Sequence, residues 1–450
     1  MNQPSEEHAL KDNHWLPSEK KACKRWIDEL IEHVDANPRP LNGTLQAFKE
    51  FLEGDKTAYT LCNMMFKEAI IKTSRSQHRT PTPQVRDYVH MLQLFNHVMT
   101  QAPSWSDLDD SKNLVGAPFN LILERPMAAA SGWRLFLRPD INKHLKAILN
   151  EWASYLNTPD STDVLNSQDG WLAPEGLAAL EARGNNGTTK HSFTDLYKCP
   201  DPTNNDTLGF ASWDAFFTRE FQPGMRPLHT PEPTHLPAPH PHHSGIITHA
   251  CESAPWRLSR NVQAQSRFWL KAQPYSLLEM LHDDPLASHF TNGTVYQAYL
   301  SALSYHRWHA PVSGRVVRAY CVDGSYFSQT PPGPPSSRDE SGSDLLALEK
   351  SQSYLAAVAA RAVIFIEADD ARVGLMGFVA VGMAEVSSCE IGVREGMRVE
   401  RGEQIGMFHY GGSTHCLLFR PRVRLRFVRE PPYGGNMEDV APVCSLLAVY

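Results

Sequence analysis

The sequence predicts an α+β protein: a helical N-terminal domain followed by a β-rich C-terminal domain with a barrel-sandwich-like core. Two observations carry this. Apolar residues recur at helical spacing through the first part of the chain. From Gly245 onward short apolar runs of strand length, punctuated by glycine, replace them.

The boundaries follow from these patterns. Residues 1–19 are polar and read as a disordered N-terminus. Ser18 can cap a helix in which Trp26, Leu30 and Val34, with Cys23, Ile27 and Ile31 beside them, run to the stop at Asn37-Pro38. Val85, Tyr88, Leu92, Phe95 and Met99 repeat the period, as do Ile141, Leu145, Ile148 and Trp152 after Pro139, a residue suited to a first helical position. These set a helical domain over 20–185. The segment EARGNNGTTKHS then leads to a second domain over 205–450. Within it Thr230 to Gly245 is rich in Pro and His and reads as an exposed connector. His240, His242 and His243 in that connector have no Cys or carboxylate at ligand spacing, so no metal is expected. The runs GIITHACES, GTVYQAYLSALSYH, GRVVRAYCV, RAVIFIEA and VGLMGFVAVGMAEV read as strands. Gly396, Gly402 and Gly406 are expected at turns between further short ones, a pattern like that of lipoyl and biotinyl modules, without the lysine those modify.

Composition narrows the classes of function. In 450 residues, 42% are apolar and 21% charged, as in ordinary globular proteins. A net charge of −7 without a Lys/Arg stripe argues against a nucleic-acid partner. No apolar run reaches the roughly 20 residues that span a bilayer, and the N-terminus has no signal-like apolar region, so a cytoplasmic protein without a membrane segment is expected. The eight scattered cysteines then read as reduced, buried small side chains.

Chemistry concentrates near the C-terminus, at Gly411-Gly412-Ser413-Thr414. Alone, Gly-Gly-Ser reads as a turn. Two glycines also permit a strained backbone on which a serine hydroxyl can approach the Gly412 carbonyl. Upstream lie Tyr305-His306-Arg307-Trp308-His309-Ala310-Pro311, FFTREFQPGMRPL (Phe216 to Leu228) and FWLKAQPYSLLEML (Phe268 to Leu281). A serine needs a base within reach, and a histidine is the usual one.

These four ordered motifs, spread over about residues 205 to 448, resemble the phosphatidylserine decarboxylase family of pyruvoyl enzymes. Ala250 to Ser253, Tyr305 to Gly314, Phe365 to Asp369, Val381 to Glu390 and Gly406 to Ser413 are most similar to its fungal aromatic L-amino-acid decarboxylases. Val381 to Glu390 departs from the small-residue run usual in lipid-acting members.

The resemblance implies that Ser413 attacks the Gly412 carbonyl and that the chain splits between 412 and 413. Ser413 then becomes a pyruvoyl cofactor, and the C-terminal fragment remains as a partner of the rest. Such a group supplies the electron sink that amino-acid decarboxylation needs; no pyridoxal phosphate site is discernible. By the same resemblance His309 is the base for Ser413, His306 serves decarboxylation and Glu252 orients His309. Related lipid decarboxylases usually carry an aspartate where this chain reads His249 to Ser253, so Glu252 is the candidate acid and Cys251 the alternative occupant of that aspartate's place. Thr414 is a candidate donor to the oxyanion. The expected reaction is L-tryptophan to tryptamine and carbon dioxide. A phosphatidylserine decarboxylase and a non-catalytic scaffold are the alternatives. Tyr326, Phe327 and Trp308 are candidate pocket aromatics, and Glu385 and Glu390 either shape the pocket or are solvated.

Overall fold

The computed structural model describes residues 20–74, 85–108, 111–114, 117–230, 245–265, 275–328, 351–385, 388–410, 413–430 and 439–450. Residues 1–19 with the Ser18 cap, the 240–243 histidines, 268–274 and Gly411-Gly412 lie outside these.

Among the described residues up to 185 there are eight α-helices: α1 (Lys20–Ala36), α2 (Gly43–Gly54), α3 (Lys56–Ser74), α4 (Tyr88–Val98), α5 (Pro118–Met127), α6 (Ala130–Phe136), α7 (Pro139–Leu156) and α8 (Pro174–Asn185). A short hairpin, β1 (Trp105–Leu108) with β2 (Ser111–Leu114), interrupts them. Local chemistry sets their starts. Asn42 and Asp87 side chains accept from the backbone N–H of Leu45 and His90, satisfying donors left over at the first turns of α2 and α4. The period read from the sequence places the burial: Ile141, Leu145, Ile148 and Trp152 of α7 are each at most 1% exposed. This helical core does not end with the helices. It takes in Phe216 and Phe217 of α10 (Trp213–Phe217), which follows the single-turn α9 (Phe193–Leu196), and also Tyr326, Phe327, Ala384 and Tyr410.

The second half is built on a seven-stranded antiparallel sheet. Its spatial order is β11 (Arg398–Val399), β7 (Gly314–Val322), β8 (Arg361–Ala368), β9 (Leu375–Gly382), β13 (Ser413–Phe419), β5 (Thr294–Leu300) and β4 (Ala254–Arg260). Two three-stranded sheets share one apolar core with one face of it: β10 (Ser388–Ile391), β12 (Gln404–His409) and β6 (Arg307–His309), and β14 (Arg426–Phe427), β15 (Leu446–Val449) and β3 (Ile246–Thr248). The other face is covered by α11 (Leu277–Met280) and α12 (Gln352–Val358). The fold is therefore α+β with a β-sandwich core, as the sequence predicts. Among the described residues no helix is long and apolar enough to cross a membrane.

The glycine reading needs one correction. Gly396 and Gly402 do occupy turns, with φ of 83° and 84°. Gly406 instead lies inside β12, opposite Trp308, where a Cβ would come within 2.5 Å of the indole and 2.4 Å of the Glu390 carbonyl oxygen. It is glycine because the Trp308 ring lies against the strand. Gly406→Ala should therefore destabilise the fold by about 1–3 kcal/mol through overpacking, read as a lower urea midpoint.

Candidate active site

Ser413 begins β13, the strand between β9 and β5. Its Cα partners are Gly382 and Leu300, and every residue from Ser413 to Phe419 is paired on both sides and buried. Side chains alternate along the strand. Leu417 and Phe419 enter the sandwich core and Cys416 and Leu418 the opposite layer, so Ser413 and His415 face the sandwich side. Ser413 is fully buried, and its Oγ has no hydrogen-bond partner among the described residues. A free hydroxyl directly after Gly411-Gly412 suits attack on the preceding carbonyl. Just upstream, Tyr410 holds φ at 63°, a left-handed value that costs a non-glycine residue roughly 1–2 kcal/mol. Its ring packs 5.6 Å from that of Trp152.

Thr414 points the other way. Its hydroxyl donates to the Ala298 carbonyl at 2.9 Å and accepts from Gln297 Nε2 at 3.1 Å. With its proton so placed on the far face of β13, it is not the oxyanion donor expected from the sequence.

The two motif histidines part company, His306 just before β6 and His309 at its end. His306 is fully buried and stacks on Phe217 with ring centroids 4.0 Å apart, while Trp308 packs on Phe378 and Phe408 inside the sandwich core. Trp308 is thus a core residue. His309 lies with Tyr305. Because a carbonyl can only accept, Nδ1–H of His309 donates to Gly402 O at 2.7 Å, leaving Nε2 to accept from the Tyr305 hydroxyl at 3.0 Å. Burial holds the imidazole below its ordinary pKa, with the Gly402 hydrogen bond and the Glu252 charge pulling the other way. A neutral ring with a lone pair on Nε2 is a base. Burial also raises the Tyr305 phenol, which keeps its proton.

Glu252 is 1% exposed, and its carboxylate is committed elsewhere. Arg226 donates to it from both Nε and a terminal nitrogen, Asn186 donates at 2.9 Å and the Val443 N–H at 2.8 Å. It does not hydrogen-bond His309; the group on Nδ1 is the Gly402 carbonyl. Its influence on the imidazole is that of a nearby charge. Cys251 cannot substitute for it, since complete burial pushes the thiol well above its ordinary range and keeps it neutral. Arg226 is the functional-site residue missed by the sequence reading, although it stands in the quoted RPL motif.

A second layer joins the helical half to the site. Glu385 is fully buried, so the solvated reading of it fails. Its Oε1 accepts from Asn120 N–H at 2.7 Å in the first turn of α5, and burial lifts its carboxyl to about 7 despite that bond. Glu390 is more exposed. Its carboxylate meets His409 Nε2 at 3.1 Å, while Asp214 meets Nδ1 at 2.9 Å. Burial opposes the charge on His409, but these carboxylates outweigh it and raise the pKa. Tyr326 and Phe327 belong to the same apolar core as Ala384 and Tyr410.

An α+β fold with an inner strand that starts at a buried serine whose hydroxyl has no partner among the described residues is the arrangement the geometry offers for comparison with known proteins. Residues 42–180 and 213–431 both match models described as phosphatidylserine decarboxylase. The decarboxylase iboD of Amanita muscaria is 38% identical over 72% of this chain and 89% of its own length. An L-tryptophan decarboxylase of Psilocybe cubensis is 31% identical over 96% of this chain and 94% of its own. The phosphatidylserine decarboxylase proenzyme 3 of Schizosaccharomyces pombe is 28% identical over 48% of this chain and 19% of its own. The chain belongs to the phosphatidylserine decarboxylase family, in its fungal decarboxylase branch. It is accordingly a carboxy-lyase.

Two measurements test this electrostatic picture. Arg226→Met should cost about 3–5 kcal/mol in chemical denaturation, because it strands a buried carboxylate, and Glu252→Gln in the same chain should recover part of the loss. Stability should also peak near pH 6.5. His249 and His415, lowered by burial from 6.5 to about 4 and about 3, contribute fully above 6.5 and lose that contribution as pH falls. Glu385, raised from 4.5 to about 7, contributes fully below 4.5 and loses it as pH rises through 7. Urea midpoints from pH 4 to 8 read both limbs, and Glu385→Gln should flatten the upper one and steepen the lower one.

Proposed function

We propose that this protein decarboxylates aromatic L-amino acids, foremost L-tryptophan to tryptamine and carbon dioxide, with a pyruvoyl group that it makes from Ser413. The observation that carries the substrate reading is the likeness to L-tryptophan decarboxylases over 96% of the chain, helical half included, whereas the likeness to the lipid-acting proenzyme covers 48%. The buried, unpartnered hydroxyl of Ser413 is what supports the cofactor. Such a group supplies an electrophilic carbonyl able to take up the electrons left when carbon dioxide departs.

In this reading the chain's own residues prepare and serve that carbonyl. Ser413 Oγ adds to the Gly412 carbonyl, and its proton passes to the Tyr305–His309 pair, whose Nε2 lone pair is free of charge at neutral pH. The Glu252–Arg226 ion pair sets the field around His309 without touching it. The protein breaks between Gly412 and Ser413 into fragments 1–412 and 413–450, which stay paired through β5, β9 and β13. His306, packed against Phe217, handles the proton delivered after decarboxylation, in a site from which bulk water is excluded. Tyr410, Phe327 and Glu385, at the seam with the helical half, bind the aromatic ring.

The test is direct. The wild-type protein should run as two chains on a denaturing gel and release carbon dioxide and amine from tryptophan, whereas Ser413→Ala should run as one chain with activity lowered at least about a thousandfold, the loss expected when a covalent centre is removed. Turnover of phosphatidylserine without turnover of tryptophan, tyrosine or phenylalanine would assign the lipid reaction instead. An intact chain without activity would leave a scaffold.

A further inference from the structure

On the sandwich side of β13, two residues from Ser413, the structure gathers polar groups that the family motifs do not account for. His415 and Tyr296 are both fully buried, and His249 is 7% exposed. Their rings form a row, His249 to Tyr296 at 6.1 Å and Tyr296 to His415 at 6.3 Å. Nδ1 of His249, Oη of Tyr296 and both ring nitrogens of His415 have no hydrogen-bond partner among the described residues. Buried polar atoms are rarely left so; where several adjoin, a small hydrogen-bonding molecule usually satisfies them. The group does not suit a metal, since among the described residues no set of three or more His, Cys, Asp or Glu is placed to hold one.

The position says which molecule. Ser413 and His415 project to one face of one strand, about 7 Å apart along it. Ser413 Oγ is itself unpartnered. After elimination splits the chain, residue 413 is a dehydroalanine with a free amino group, which tautomerises to a methyl imine. One water must then add its oxygen to Cα and its two hydrogens to the nitrogen, so that ammonia leaves and a ketone remains. Nothing else in the scission chemistry consumes water, and this strand is otherwise walled by Leu300, Phe378 and Leu417.

We propose that His249, Tyr296 and His415 form a water site that delivers the hydrolytic water to residue 413 and takes the ammonia away. The inference rests on the self-cleavage reading above. His249, at 7% exposure the least buried member of the row, marks the entry side. Tyr296 passes hydrogen bonds inward. His415, kept neutral by burial, offers one donor and one acceptor, enough to hold a water against Cα of residue 413 without removing its proton permanently. His415 and Tyr296 are then positioning residues for maturation, separate from those that cut the chain.

The experiment follows maturation of the full chain made by cell-free translation. Cleavage is read on a denaturing gel and ammonia by a coupled assay. The 413–450 fragment is weighed after borohydride reduction, which turns an imine into an N-terminal alanine and a ketone into a lactyl group. In the wild type, ammonia should follow cleavage closely and the fragment should be lactyl. In His415→Phe and Tyr296→Phe, cleavage should persist while ammonia release slows at least about tenfold and the alanine form accumulates, the size of effect expected when a positioned proton-transfer partner is lost. His415→Asn, which keeps a donor and an acceptor, should recover part of the rate. Ammonia keeping pace with cleavage in both the Phe variants would overturn the proposal. Should Phe at 415 prevent folding, Tyr296→Phe, which removes one hydroxyl, decides alone. A wild type that never splits would overturn the self-cleavage reading as well, and is distinguished by the gel.

Discussion

The constraint on which everything else depends is the double pairing of β13. All seven residues from Ser413 to Phe419 are registered against β5 on one side and β9 on the other, and all seven are buried. A backbone break immediately before this strand would leave the pairing of Thr414 to Phe419 with both neighbours in place. The same pairing fixes Ser413 to within the precision of a sheet, which a loop serine would lack. Just before the strand, Tyr410 carries a left-handed φ of 63°.

The charged groups are arranged at one remove from that junction. A carboxylate in direct contact with His309 would raise the imidazole pKa and favour its charged form. Here Glu252 is instead saturated by Arg226, Asn186 and Val443, and His309 is steered by neutral partners, the Gly402 carbonyl and the Tyr305 hydroxyl. Burial then dominates and the ring stays a base. The buried ion pair also ties Val443 of the C-terminal segment to Arg226 and Asn186 of the larger segment. It therefore joins the C-terminal segment to the rest of the chain independently of the sheet.

Periodicity and motif order made much of this legible. The helix containing Ile141, Leu145, Ile148 and Trp152 could be read because burial on one face writes itself into the sequence every three or four residues. The strands could be read because apolar runs end at glycines. What escaped reading depends on contacts distant along the chain. Arg226 and Glu252 are 26 positions apart, and nothing local ties an arginine in RPL to a glutamate in HACES. Gly406 looked like its neighbours Gly396 and Gly402, yet it is glycine for the sake of the Trp308 ring. Thr414 could not be assigned to a face of β13 until Gln297 was seen to hold it. His415 sits inside an apolar run, where the eye passes over one polar residue; only the sheet places it on the side of Ser413.

The helical half is more than an appendage to the decarboxylase domain. Asn120 of α5 donates to Glu385, Trp152 of α7 packs on Tyr410, and Asp214 of α10 binds His409, so three separate elements meet the segments that lead out of β9 and into β13. Each contact touches a residue within a few positions of Ser413 or of its partner Gly382. A change of helix packing is therefore felt at the segments next to Ser413 and Gly382, whose own positions the sheet fixes.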